Sequence, residues 1–232
     1  MAELNKLKDG SGYDVAISYI PEKLIDAVNS KLNLLHPVRA SSMDRTYAER
    51  EKIKDLPDIS VWWSQMVMDW PEVIEINSMV SELVKPYMPT LEWYASDIVV
   101  IEGNSKWINP HVDTPHRFKK YNYNKELLGV QAIVSLFDLD KSRGVTGLVP
   151  ESQKQDFNIN LCYQGFYNSL FNKNCVQPEL PKGSVLYYNC RVLHSSMPNT
   201  QDRPRQALLF NYLDSSIISD IRTMDNIWVS NE

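Results

Sequence analysis

The sequence predicts an α+β protein with a mainly β core and helices on its amino-terminal side. Apolar residues recur at helical spacing in the first half of the chain, and short β-rich runs fill the second half. No repeat, low-complexity stretch or Gly/Ser-rich linker divides the 232 residues. We therefore expect one domain over residues 1–232, with an α+β or barrel layout.

The amino-terminal half contains one short strand and two amphipathic helices. Residues 13–19 alternate loosely as a strand does, and Pro21 suits the first turn of a helix. That helix is predicted from Leu24, Val28, Leu32 and Leu35, and it ends at His36-Pro37. A second helix begins at Pro71, with apolar positions Val73, Ile76, Val80 and either Leu83 or Val84. The four strands expected later lie at 98–101, 130–136, 185–188 and 207–212.

Composition indicates an intracellular protein that binds neither nucleic acid nor membranes. A net charge of -5 and a pI of about 5.5 argue against a surface that neutralises phosphates. No apolar run approaches the roughly 18 residues of a membrane span, and the first residues lack the apolar centre of a signal peptide. Three cysteines without a C-x-x-C pair suit a reducing compartment, so we expect a cytoplasmic protein.

His111 and Asp113 form the first half of a predicted metal site. They lie two residues apart in an extended segment, and two residues is one strand period, so both side chains project to one side. A non-haem Fe(II) site requires two histidines and one carboxylate on one face of the metal, leaving positions for cosubstrate and oxygen. A second histidine must therefore come from elsewhere in the chain.

Of the four histidines in the chain, His194 is the candidate for the third ligand. It directly follows a predicted turn and strand, and a residue at the end of a strand can place its side chain at the open end of a barrel. His36 ends a predicted helix. His116 competes with His111, but it lies three residues past Asp113, on the opposite strand face or in the following loop.

Arg205 lies eleven residues beyond His194 and opens the last predicted strand. A bidentate guanidinium is well suited to the far carboxylate of a dicarboxylate cosubstrate such as 2-oxoglutarate, whose keto acid end chelates iron. Arg203 competes for this role. Pro204 indicates that the strand begins at Arg205 and leaves Arg203 in the preceding turn.

Several features of the second half occur together in a fixed order. They are H-V-D at 111–113, the strand Val130-Gln131-Ala132-Ile133, the acidic loop Asp138-Leu139-Asp140, an apolar run from Gly144, and H-S-S-M-P-N at 194–199 followed by Arg205. Together they resemble the phytanoyl-CoA dioxygenase family of Fe(II)/2-oxoglutarate oxygenases. The resemblance covers about residues 94–213. The sequence departs from the family pattern in one turn, where Glu151 and Gln153 replace the usual glycine and histidine.

The resemblance implies both a fold and a set of roles. The fold is a double-stranded β-helix, a jelly-roll or cupin-like barrel, with its core at about 94–213 and helical support at about 20–90. The cofactors are Fe(II), 2-oxoglutarate as cosubstrate, and O2. The implied metal ligands are His111, Asp113 and His194, and the implied 2-oxoglutarate contacts are Arg205, assisted by Ser196, and Gln131.

The implied reaction hydroxylates an unactivated C–H bond of a small anionic molecule and converts 2-oxoglutarate and O2 to succinate and CO2. Substrate contacts are expected from Arg117 and Lys120, which follow Asp113 closely, and from Tyr121 and Trp107 as apolar walls. Three alternatives remain open at the sequence level. They are a hydroxylase of a peptide or protein side chain, a zinc-binding barrel with a structural or hydrolytic role, and a non-catalytic binding protein with a degenerate oxygenase fold.

Overall fold

The computed structural model describes residues 5–34, 61–62, 67–101, 103–104, 109–113, 127–158, 161–162 and 164–218. Its strands are β1 (Tyr13–Ala16), β2 (Val61–Trp62), β3 (Leu91–Ile101), β4 (Gly129–Ser135), β5 (Thr146–Leu148), β6 (Val185–Asn189), β7 (His194–Ser196) and β8 (Arg205–Asp214). Its helices are α1 (Glu22–Leu34), α2 (Pro71–Val84) and α3 (Asn168–Asn174).

A six-stranded antiparallel sheet in the order β1-β6-β4-β8-β3-β2 forms the larger layer. The four strands expected in the second half are β3, β4, β6 and β8. Strand β3 begins at Leu91, whereas the expected strand began at residue 98, so it is longer than expected. Strand β8 begins at Arg205, immediately after Pro204, as predicted.

Helices α1 and α2 cover one face of this sheet, as the helical spacing predicted. The buried side of α2 consists of Val73, Ile76, Val80 and Val84, which settles the last position in favour of Val84. They pack in one core with even-numbered residues of the central strands, including Ala132 on β4 and Phe210 on β8. In the described part of the chain, no helix combines the length and apolar character needed to cross a membrane.

A second, smaller antiparallel sheet lies against the other face. Strands β5 and β7 form it, and the isolated bridges His111–His194 and Leu148–Val176 add a chain segment on each side. A core between the two sheets joins odd-numbered residues of β4 and β8, such as Ile133 and Leu209, to Leu148 of the small sheet. The two sheets therefore enclose an interior into which one face of every central strand points.

Helix α3 packs on the outer side of the small sheet. Its residue Phe171 joins Val112, Val149 and Leu193 in a separate buried cluster. All three cysteines are free thiols, with Cys162 and Cys190 buried and Cys175 half-buried.

Candidate metal centre and cosubstrate pocket

The small sheet brings His111 and His194 together. The two residues lie directly opposite each other in an antiparallel pair, so their side chains project to the same face, and their ring centroids are 4.4 Å apart. Val112 points the other way, into the cluster beneath α3. This alternation is the one expected for an extended segment and returns Asp113 to the face of the two rings.

Asp113 completes the cluster. Its carboxylate lies 3.2 Å from Nε2 of His194 and 3.9 Å from Nε2 of His111. The ligand atoms of the three residues all lie within 4.8 Å of one another. Two imidazole nitrogens and one carboxylate oxygen in this arrangement fit a divalent transition metal of the non-haem iron type.

Backbone carbonyls fix the orientation of both imidazoles. Nδ1 of His111 bonds to the carbonyl of Asn109, and Nδ1 of His194 bonds to the carbonyl of Val192, both at 2.9 Å. A carbonyl oxygen can only accept, so each Nδ1 carries a proton. The ring nitrogens that face Asp113 are therefore the ones free to bind a metal.

The surroundings of the two imidazoles shift their pKa values in opposite directions. Burial and the neighbouring His194 lower the pKa of His111 below its usual value. Burial also opposes charge on His194, but the carboxylate of Asp113 and the carbonyl of Val192 together outweigh burial, and the pKa of His194 is raised. Asp113 thus stabilises positive charge most strongly at His194, as expected where a cation is to be held.

Arg205 is a buried cation within the same interior. Only 2% of its surface is exposed, and burial lowers its pKa from 12.5 to about 10, so the side chain stays charged at neutral pH. Its guanidinium donates to the carbonyl of Gly144 at 2.9 Å, Oγ1 of Thr146 at 3.0 Å and Oγ of Ser196 at 3.3 Å. Its buried Nε has no partner, and no carboxylate of the described chain pairs with it. A buried guanidinium with an unused donor fits the carboxylate of a ligand.

One cavity of about 370 Å³ contains both the histidine cluster and Arg205. Its wall also includes Ser196 and Gln131, the other residues expected to contact 2-oxoglutarate, and Oε1 of Gln131 is buried without a partner. Ile133 lines the cavity in phase with Gln131. Ser135, the next residue on the same face of β4, donates to the carbonyl of Pro181 at 2.7 Å and lies outside the cavity wall.

Several polar residues of the cavity wall were missed at the sequence level, among them Asn211 on β8. Thr146 bonds to Arg205, the Tyr188 ring lies tilted beside the His194 ring at a centroid distance of 4.8 Å, and Asp97 lines the wall from β3. A signal for Asp97 was present, since it is the only carboxylate within the apolar run from Ala95 to Ile101. Thr146 belongs to a strand of three residues, which is too short to show a period.

The turn that departs from the family pattern keeps its backbone shape. Glu151 occupies the left-handed region at φ 63° and ψ 2°, a conformation that favours the glycine usual at this position. Gln153, in the place of the usual histidine, donates to the carbonyls of Gly10 at 2.9 Å and Lys8 at 3.3 Å and lies outside the cavity wall. Its role here is to fix the amino-terminal segment.

The expected substrate contacts Arg117, Lys120, Tyr121 and Trp107 lie outside the described residues, as does His116. Arg203, the competitor of Arg205, is exposed in the preceding turn, where its carbonyl accepts from Nδ2 of Asn199 at 2.8 Å. Asn199 thus stabilises this turn.

Solved structures with low sequence identity share this fold. EctD from S. alaskensis in its apoform gives a TM-score of 0.66 at 14% identity, covering 93% of this chain and 78% of its own. HygX from Streptomyces hygroscopicus with nickel and 2-oxoglutarate bound gives 0.64 at 15%, covering 88% and 84%. The epimerase SnoN in complex with Fe3+, alpha ketoglutarate and nogalamycin RO gives 0.62 at 16%, covering 88% and 80%.

Comparison of the sequence with curated proteins gives no match. The profile of the phytanoyl-CoA dioxygenase (PhyH) family, in contrast, matches residues 19–207, which include His111, Asp113, His194 and Arg205. Because this match spans most of the chain, the protein belongs to the phytanoyl-CoA dioxygenase family.

Proposed function

We propose that this protein is an Fe(II)/2-oxoglutarate-dependent dioxygenase that hydroxylates an unactivated C–H bond of a small molecule. The observation that carries the proposal is one cavity that holds two complementary sites. A cluster of two histidines and an aspartate fits the metal, and a buried arginine that has no carboxylate partner among the described residues fits a carboxylate. Membership of the family supports the same class of enzyme.

In this proposal His111 and His194 bind iron through Nε2, and Asp113 binds it through a carboxylate oxygen. Bound iron with 2-oxoglutarate and O2 supplies the oxidising power for hydroxylation, with succinate and CO2 as the other products. The Asp113 charge offsets part of the cation's charge and holds both imidazoles in one orientation. Because both Nδ1 atoms are already engaged by backbone carbonyls, the ligand set is oriented before the metal arrives.

Arg205 would bind the distal carboxylate of 2-oxoglutarate. Thr146 and Ser196 accept hydrogen bonds from two of its nitrogens and hold the guanidinium plane in place. The low exposure of Arg205 keeps water away from the ion pair, which strengthens it. Gln131 lines the wall of the cavity and would be a further contact for the cosubstrate through its Nε2 donor.

The proposed enzyme class also implies a specific arrangement of the two sheets. We infer that the two facing sheets form a double-stranded β-helix within a single domain over 1–232, with its core at about 94–213 and helical support at about 20–90. The antiparallel order of the large sheet supports this, as does the enclosure of the site between the sheets.

Hydroxylation is proposed because the metal-binding carboxylate position is filled by Asp113. A halogenating relative needs that position for halide. Among proteins of similar fold, SnoN is described as an epimerase and SnoK as a carbocyclase, so the outcome of C–H activation varies between such enzymes. The basic run that contains Arg117 and Lys120 favours a small anionic substrate, and a peptide or protein side chain is the second candidate.

A zinc-dependent hydrolase is the rival function for a site of two histidines and an aspartate. Arg205 argues against it. Hydrolysis at a metal has no need of a buried guanidinium without a carboxylate partner in the same cavity, whereas a dicarboxylate cosubstrate does.

The test is anaerobic addition of Fe(II) and then 2-oxoglutarate, monitored by visible absorption. We expect the weak charge-transfer band of a chelated keto acid, and we expect His194→Ala to abolish it. Arg205→Met should raise the 2-oxoglutarate concentration needed for the band, and the exposed Arg203→Met is the matched control. A protein that binds both reagents without the band, or an Arg203→Met effect equal to that of Arg205→Met, would contradict the proposal.

A further inference from the structure

Asp97 is a buried carboxylate in the cavity wall that the proposed reaction does not use. It lies on β3 with only 8% of its surface exposed and lines the same cavity as the histidine cluster. No hydrogen bond or ion pair joins it to any residue of the described chain. The cluster of potential metal ligands does not include it.

The sheet register separates Asp97 from Arg205. Asp97 lies opposite Leu209, and Arg205 lies opposite Ile101, which is four residues further along β3. At about 3.3 Å per residue this places the Cα positions of the two residues roughly 13 Å apart along the strand direction. The positively charged Arg205 and the negatively charged Asp97 therefore occupy different positions along the strands that form the cavity wall.

Burial without a partner is unfavourable for a carboxylate. Desolvation raises the pKa of Asp97 to about 6, so at neutral pH the group is still largely ionised. It lies opposite the apolar Leu209 across the strand pair, and Ala95 and Val99 flank it on its own strand, while the uncharged Asn211 lines the same cavity from β8. An unpaired charge in such surroundings is characteristic of a ligand-binding position.

We infer that the substrate carries a cationic group, an ammonium or a guanidinium, that forms an ion pair with Asp97 in the cavity. This inference rests on the proposed function, because the molecule bound at Asp97 is a substrate only if the protein is that enzyme. It does not depend on the metal, because Asp97 is positioned by β3 and by the pairing of β3 with β8. A zwitterion would satisfy both Asp97 and the anionic group expected from the sequence.

Hexylammonium, hexanol and hexanoate are suitable probes because they share one carbon skeleton and differ at one end. Their dissociation constants are measured by calorimetry on the anaerobic protein loaded with Fe(II) and 2-oxoglutarate, and again on the metal-free protein. We expect hexylammonium to bind at least about tenfold more tightly than hexanol and hexanoate, which corresponds to one buried ion pair. Asp97→Asn should remove this preference, and the exposed Asp202→Asn should keep it.

A second measurement does not depend on a variant. The carboxyl carbon resonance of Asp97 should shift when hexylammonium is added and stay unchanged with hexanol. Equal binding of the three probes, or a preference that survives in Asp97→Asn, overturns the inference. If the keto acid band is present in that case, the proposed function is kept and the cation site is rejected. If the band is absent but the preference for hexylammonium is intact in the metal-free protein, the cation site stands and the proposed function fails.

Discussion

The backbones of His111 and His194 are hydrogen-bonded to each other in both directions. The amide of each residue donates to the carbonyl of the other, and both distances are 2.9 Å. Such a pair sets two residues directly opposite each other with side chains on one face. The spacing of the two imidazoles is therefore a property of strand register, and a slip of one residue would turn one ring away from Asp113.

Removal of the aspartate from this cluster should abolish tight metal binding. Asp113→Ala is expected to weaken binding of Mn(II) to the metal-free protein by about 100-fold or more, because it removes one of three ligands and a negative charge. Mn(II) at 100 times its dissociation constant should stabilise the wild-type protein by about 2.7 kcal/mol, seen as a higher Tm. Asp202→Ala is the control. An equal rise in Tm for Asp113→Ala would show that the metal binds elsewhere.

The hydroxyls around Arg205 should affect cosubstrate binding more weakly than the arginine itself. Thr146→Val and Ser196→Ala each remove one hydrogen bond to the guanidinium, and each should raise the KM for 2-oxoglutarate about 2- to 10-fold with kcat nearly unchanged. Steady-state succinate formation measures both constants. Thr200→Val, at an exposed position, is the control for the threonine change. A fall in kcat at constant KM would contradict a role in binding the cosubstrate.

Replacement of Asp97 should stabilise the ligand-free protein at neutral pH. The pKa of Asp97 is about 6 in the folded state and 3.8 as the ordinary value, so the native state binds more protons between these values. The contribution of Asp97 to the free energy of unfolding therefore falls as the pH rises from 3.8 through about 6. Asp97→Asn should raise the free energy of unfolding at pH 8 by up to about 3 kcal/mol and have little effect near pH 4.

Urea denaturation of both proteins at the two pH values provides the measurement for Asp97. Asp202→Asn should change neither value. If Asp97→Asn destabilises the protein at pH 8, the carboxylate has a structural partner, and its proposed availability for a ligand is wrong.

Glu151 is expected to store a small amount of backbone strain. Its left-handed conformation costs a residue with a Cβ about 1 kcal/mol or more, whereas glycine adopts it freely. Glu151→Gly should therefore raise the free energy of unfolding by about 0.5–1 kcal/mol, after allowance for the greater freedom of glycine in the unfolded chain. Glu151→Ala loses the same ion pair with Lys154 but keeps the strain, so a gain in stability for alanine would contradict the strain argument.

The sequence by itself determined the elements whose patterns are local. Helical spacing located α2 and selected its buried side, and the proline at 204 marked the first residue of β8, which placed Arg205 on a strand. The two-residue step from His111 to Asp113 is also local, because alternation along an extended segment depends on backbone geometry alone.

Only the tertiary structure decided which residues meet across the chain. Strand β7 has three residues, too few to show a period, yet its pairing brings His194 to His111. Gln153 occupies a position where the family has histidine, and its bonds to the carbonyls of Lys8 and Gly10 follow from where the amino-terminal segment packs. The isolation of Asp97 depends on the absence of a partner among strands distant in sequence, and register between such strands is set by the packing of the whole core.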